Sequence, residues 1–173
     1  FDLDLTRDVL LLTFSKVINA STLNLQQFVL QGTFNATNLR NSYTLTAGAF
    51  SLNYSTQVTV YLEHSDLNEI KRLNNLATSV SNTFLTITSA AARDMNANKV
   101  VALVNAATAL QVTLFTADTI PPQLVAFSLD MNFGTMVMDF SETVRTSTFN
   151  ASALTLQSTS STGLATEQVT FNY

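Results

Sequence analysis

Cysteine is absent from this chain of 173 residues. That excludes disulfides, thiolate metal sites and cysteine nucleophiles, although a sandwich of sufficient size folds without crosslinks. Charge is scarce as well. Charged residues make up 12% of the chain, about half the share usual for soluble domains. The eight Lys and Arg are dispersed and the net charge is -4, so there is no basic track for phosphates and nucleic acid is not an expected partner. No apolar run reaches the roughly 18 residues of a membrane span. The best stretch, residues 100–110, is too short and carries Asn105. The one histidine, His64, has no cysteine to activate and reads as a loop residue ahead of a short helix. No catalytic constellation emerges, so enzymatic activity is not expected.

What the chain does hold is apolar mass and neutral polar surface. Hydrophobic residues make up 46%, enough for a packed core. With so little charge, the surface must come from Ser, Thr, Asn and Gln, which suits an extracellular or cell-surface protein that carries sugars. Four Asn-Xaa-Ser/Thr sequons, at Asn19, Asn35, Asn53 and Asn150, are candidate glycosylation sites. Chance alone produces about as many in a chain this rich in Asn, Ser and Thr. Placement in predicted loops favours Asn19 and Asn35, while Asn53 lies nearer a strand.

Self-similarity organises the chain. Shifted by 126 residues, Phe1-Asp2-Leu3-Asp4 falls on Phe127-Ser128-Leu129-Asp130, and Phe14-Ser15 on Phe140-Ser141. Ser21, Thr22 and Asn24 fall on Ser147, Thr148 and Asn150, and Leu30-Gln31 on Leu156-Gln157. Twelve of the 47 overlapping positions are identical. A fixed period means an array of like modules. The spacing predicts one module over 1–118, with its N-terminal strand truncated, and the first half of a second over 119–173. Patterned segments run to both ends, so the chain is expected to be a window of a longer array.

The second copy resolves the first. Residues 9–14 are apolar almost throughout, but their counterparts include Asp139, which belongs in water. Alternation then points Met136, Met138 and Phe140 inward, and Leu10, Leu12 and Phe14 with them. Phe28, Leu30, Leu154 and Leu156 are placed inward likewise. Val58, Val60 and Leu62 form another inward row, as do Leu85 with Ile87, and Leu110, Val112 with Leu114. Thr59, Tyr61, Phe84, Thr86, Thr88, Thr113 and Phe115 are then outward. Such residues offer a flat apolar and hydroxyl face, for a neighbouring module or for sugar rings. Residues 66–73 break the two-residue rhythm and predict a short helix, capped by Asp66 with Glu69 completing a capping box, and leaning on the sandwich through Leu67, Ile70 and Leu73. Pro121-Pro122 stiffens the boundary between copies. These patterns predict an all-β chain of immunoglobulin-like β-sandwich repeats, with the helix an insertion in the first repeat.

The phrase Leu11-Leu12-Thr13-Phe14-Ser15-Lys16-Val17 with Ser21-Thr22-Leu23-Asn24 resembles the strand and turn of bacterial S-layer-type Ig-like domains, and Met138-Asp139-Phe140-Ser141-Glu142-Thr143-Val144 repeats it. Asp118-Thr119-Ile120-Pro121-Pro122 resembles the junction between such domains, and residues 93–98 resemble one of their loops, with Ala97 where glycine is usual. The pattern is also similar to the long Ig-like arrays of secreted algal and protist surface proteins, including those of flagellar hairs (mastigonemes) and cell coats. The resemblance implies a structural or adhesive segment of an extracellular filament or coat. Its partners would be neighbouring repeats, other copies and filament components, and glycans. No cofactor is implied. The alternative is a carbohydrate-binding or calcium-dependent adhesion module. Asp94, Asn96 and Asn98 stand at the alternate spacing of calcium-loop oxygens, without the loop glycine or the closing acid. Asp66 and Asp118 would join them if the junction folds back.

Overall fold

A computed structural model describes residues 1–37, 39–160, 163 and 165–171. The chain is mostly β and packs as two units, residues 1–143 and 144–173. In the first unit the strands are β1 (Asp2–Asp4), β2 (Val9–Asn19), β3 (Phe28–Gln31), β4 (Ser42–Thr44), β5 (Gly48–Phe50) and β6 (Ser55–Leu62). The helix α1 (His64–Arg72) follows, then β7 (Phe84–Ile87), β8 (Arg93–Asp94), β9 (Leu110–Gln111) and β10 (Leu114–Thr116). One sheet has the order β10-β1-β2-β6-β5, with β8 also on β2, and the other the order β4-β3-β7-β9.

The inward rows of both sheets meet in one core. Leu10 and Leu12 of β2 and Val58, Val60 and Leu62 of β6 face Phe28 and Leu30 of β3 and Leu85 and Ile87 of β7. All are buried, as the two-residue rhythm of their strands requires. Phe14 is half-buried and packs against the same core. The helix begins two residues earlier than expected, at His64, and ends at Arg72; it buries Leu67 and Ile70, with Leu73 just past it partly covered.

Three further expectations need correction. Leu110, Val112 and Leu114 do not form one inward row: Val112 is buried, but Leu110 and Leu114 are exposed. The chain leaves the second sheet after β9 and joins the first at β10, so the alternation restarts and half-buried Phe115, not Leu114, faces the core. Thr86 is buried rather than outward, because the segment carrying Leu103 bridges to Ile87 beside it. Finally, Asp66 does not cap α1. Glu63 holds the cap position without a side-chain bond, Asp66 turns inward from the first turn, and Glu69 pairs with Arg72 at 2.8 Å instead.

Beyond the junction, β11 (Leu124–Asp130) and β12 (Thr135–Phe140) form an antiparallel hairpin that belongs to the first unit. Along β12, Thr135, Val137 and Asp139 are exposed while Met136, Met138 and Phe140 are half-buried. The second unit holds a short hairpin of β13 (Thr155–Gln157) and β14 (Gln168–Thr170).

Local geometry recurs at the 126-residue interval. Leu3 pairs with Leu10, and Leu129 with Met136; Asp2 pairs with Leu11, and Ser128 with Val137. In the first hairpin turn the Asp4 carboxylate accepts the N–H groups of Thr6 and Arg7, and Asp8 takes φ 60. In the other, Asp130 accepts from Asn132 and Phe133, and Gly134 takes φ 63. The left-handed position is thus Asp in one turn and Gly in the other, two of the residues that tolerate it best. Downstream, the Thr22 hydroxyl donates to the Asn19 carbonyl at 2.7 Å, as Thr148 does to Arg145 at 2.7 Å. Asn24 and Asn150 each cap a short 3-10 turn by accepting from the N–H two residues on.

Candidate functional site

The junction after β10 is held by the first unit at several points. The Leu5 N–H donates to the Thr116 carbonyl at 2.9 Å, and the Thr6 hydroxyl to the Ala117 carbonyl at 2.8 Å. Asp118 accepts the Ile120 N–H at 3.0 Å through one carboxylate oxygen, which orients the chain into Pro121-Pro122. Its other oxygen lies 2.8 Å from the Lys71 ammonium of α1. Lys71 also reaches Glu142, just past β12, at 2.8 Å. Beside this pair the Asn68 side chain accepts the Thr143 N–H at 3.2 Å.

These contacts form a clasp. One cation on the helix holds an acid before the hairpin and an acid after it. The side chains of Lys71, Asp118 and Glu142 are only 18%, 20% and 12% exposed, so the ion pairs are better shielded than ordinary surface bridges. Burial by itself would lower the Lys71 pKa, but hydrogen bonds to Asp118 and Glu142 outweigh it and hold the ammonium above the usual lysine range. Burial likewise pushes Asp118 up, while the Lys71 and Ile120 hydrogen bonds bring it below the usual carboxylate range. Lys71 and Glu142 lie 71 positions apart, so no spacing rule pairs them.

Asp94, Asn96 and Asn98 come together in one tight loop. Asp94 accepts the N–H groups of Asn96 and Asn98 at 2.9 Å each, and its second oxygen accepts the Asn98 amide at 2.9 Å. The Asn98 side-chain hydrogen bond, ahead of the others, holds the Asp94 carboxyl below its usual range. The carboxylate thus closes the turn itself. Asp66 and Asp118 do not join the loop, since each is engaged elsewhere. Among the described residues no three His, Cys, Asp or Glu side chains cluster as metal ligands. Ala97 holds the loop with φ 63. Ala97→Gly is expected to raise stability by about 1 kcal/mol by removing the left-handed penalty, partly offset by unfolded-state entropy. Urea unfolding checks it, and a loss of stability refutes it.

Of the sequon residues, Asn35, Asn53 and Asn150 are exposed and Asn19 is half-exposed. At Asn19 and Asn150 the side-chain oxygen accepts the hydroxyl of the sequon serine at 2.7 Å. His64 is not a loop residue ahead of the helix, as expected, but the exposed first residue of α1, because the helix starts directly after Glu63. The Thr and aromatic residues do not share one face. Thr59 and Tyr61 lie on the first sheet and Phe84 on the second, where it meets Phe34 edge-on with centroids 6.4 Å apart. No protein-family model, curated protein or solved structure matches this chain.

Proposed function

We propose that the chain is a structural or adhesive segment of an extracellular filament or surface coat, built from tandem Ig-like repeats and carrying no chemistry of its own. The observation that supports this best is the recurrence at 126 residues of strand register, turn acceptor, left-handed position and 3-10 caps. Sequence likeness and backbone likeness coincide, as duplicated modules require. The clasp supplies the mechanical part. A junction stiffened by two prolines and tied by Lys71 passes on a fixed direction instead of hinging freely. With a fixed rotation per module, contacts between copies propagate into a fibre.

The apolar hairpin β11–β12 gives such contacts a surface. Phe127, Met131, Phe133 and Val137 are all more than half exposed. Few charges stand nearby to oppose association. In this reading the sequons are decoration on the filament surface, since Asn19 and Asn150 occupy different positions of their copies. Small-angle scattering and sedimentation on a chain carrying two full repeats test it. One preferred inter-repeat angle and concentration-dependent association are expected. A monomer with freely varying angles would reduce the protein to a flexible spacer.

A further inference from the structure

The strand β2 is paired along only part of one edge. Strand β1 covers that edge as far as Leu11, and β8 takes it up again at Ile18 and Asn19. Both lie on the side away from β6, because Ile18 pairs with Ser55 of β6 and Asp94 of β8 at once, and a strand has only two edges. Among the described residues no strand runs along this edge between Leu12 and Val17. Such an edge presents a row of unpaired N–H and C=O groups. Beneath it a cavity of about 350 Å³ reaches into the sandwich, lined by Phe14, Phe28, Ile87 and Leu103 and bounded by Phe1 and Asp94. The cavity opens to solvent at its rim, where Lys16 and Val101 are exposed.

The second hairpin displays a segment that fits such a gap. At the 126-residue shift Phe14 corresponds to Phe140, and Phe140 has a partner: it pairs with Leu124, across a bulge before Ala126. The chain continues alongside, with the Ser141 N–H donating to the Gln123 carbonyl at 2.8 Å and the Gln123 N–H to the Ser141 hydroxyl at 2.9 Å. Cross-strand partners share a face. Leu124 therefore lies on the face of Phe140, and Phe127 on that of Met138. Transposed by 126 residues, a leucine at the place of Leu124 lies beside Phe14, over the cavity.

We infer that the notch is a strand-acceptor site for an extended segment with the chemistry of residues 123–126, leading in line into Phe1 and setting its leucine in the cavity. This rests on the repeat reading above. An in-line segment fits the notch better than a separate chain, because β1 already has the register the new strand would continue. Four residues suffice to bridge from β1 toward β8. The donated strand hydrogen-bonds the open edge, and its leucine covers the apolar part of the cleft beside Phe14.

The test is to lengthen the chain ahead of Phe1 by Pro-Pro-Gln-Leu-Val-Ala, a copy of residues 121–126, and compare it with the original chain and with a lengthened chain carrying Asp in place of the added leucine. The thermal midpoint of the first is expected to rise by roughly 5 °C. Amides of residues 13–17 should gain protection from hydrogen exchange, and the Asp version should gain neither. Equal midpoints for all three chains overturn the inference. So does a gain that appears only with dimer formation in sedimentation, because a second copy would then be the donor. If the repeat reading itself fails in scattering while the lengthened chain is stabilised, the acceptor site stands without it.

Discussion

Asp66→Ala is expected to destabilise the first unit by about 3 kcal/mol, because several buried donors converge on this one carboxylate. Asp66 is fully buried. It accepts the Tyr43 hydroxyl at 2.9 Å, the Thr46 N–H at 2.9 Å and the Thr46 hydroxyl, with the Ala47 N–H further off at 3.5 Å. The carboxylate thereby fixes the chain between β4 and β5 against the helix. A buried carboxylate is costly unless hydrogen-bonded, and every buried side-chain polar atom among the described residues has a partner. Alanine removes the acceptor and strands the donors. Asp66→Asn should cost less, since its amide oxygen keeps the Thr46 N–H while its NH2 group donates to the Tyr43 and Thr46 hydroxyls, which turn to accept. Urea unfolding of the three chains checks the order, and an alanine variant within about 0.5 kcal/mol of the original would refute the account.

The same site sets an alkaline limit. Burial first, and then the hydrogen bond to Asp66, pushes the Tyr43 phenol up to about 12 from its ordinary 10.0. A group whose folded pKa is raised contributes stability that is intact below its unfolded pKa. That contribution is lost as pH rises through the folded value. Stability should therefore decline as pH climbs from 10.0 toward about 12, and Tyr43→Phe should remove that part of the slope. The exposed Tyr54 and Tyr61 do not share this site.

Most of the sandwich was legible from the sequence because β2, β3, β6 and β7 bury one row and expose the other. The ambiguous run at residues 9–14 became readable through Asp139, which a strand points at water. Legibility ended where a strand's face depends on something far along the chain. Residues 110–116 look like one alternating strand, but the chain changes sheets at Val112, and no local signal marks that. Thr86 looks outward until the segment around Leu103 covers it. Asp66 stands where a helix cap would, and only the fold places Tyr43 and Thr46 against it. The junction was marked by its prolines, yet its clasp joins residues far apart in sequence. The Asp94 loop was legible as a cluster of oxygens, but not as a turn that consumes them.

Lys71→Met is expected to cost about 2 kcal/mol and to release the hairpin β11–β12 from the helix. Methionine keeps the apolar stem and drops the ammonium, leaving Asp118 and Glu142 with no shared cation in a site that is mostly shielded from water. Removing one partner of a shielded ion pair is worse than removing all of them, because the remaining charge is stranded. Adding Asp118→Asn and Glu142→Gln to Lys71→Met should therefore recover a large part of the loss. The pH response follows from the two shifted groups. Asp118, held below its usual range, contributes above the ordinary carboxylate pKa of about 3.9 and loses that contribution as pH falls through its lower folded value. Lys71, held above its range, contributes below about 10.4 and loses it as pH rises through its higher folded value. The clasp is thus closed across the neutral window and opens at both extremes. Hydrogen exchange in β12 reads its closure directly, and in Lys71→Met those amides should exchange faster at neutral pH while those of β6 stay protected. Equal protection of β12 in both chains would show that the prolines and backbone contacts hold the junction without Lys71. If the clasp acts as proposed, scattering from a two-repeat chain carrying Lys71→Met should report a broader range of inter-repeat angles than the parent.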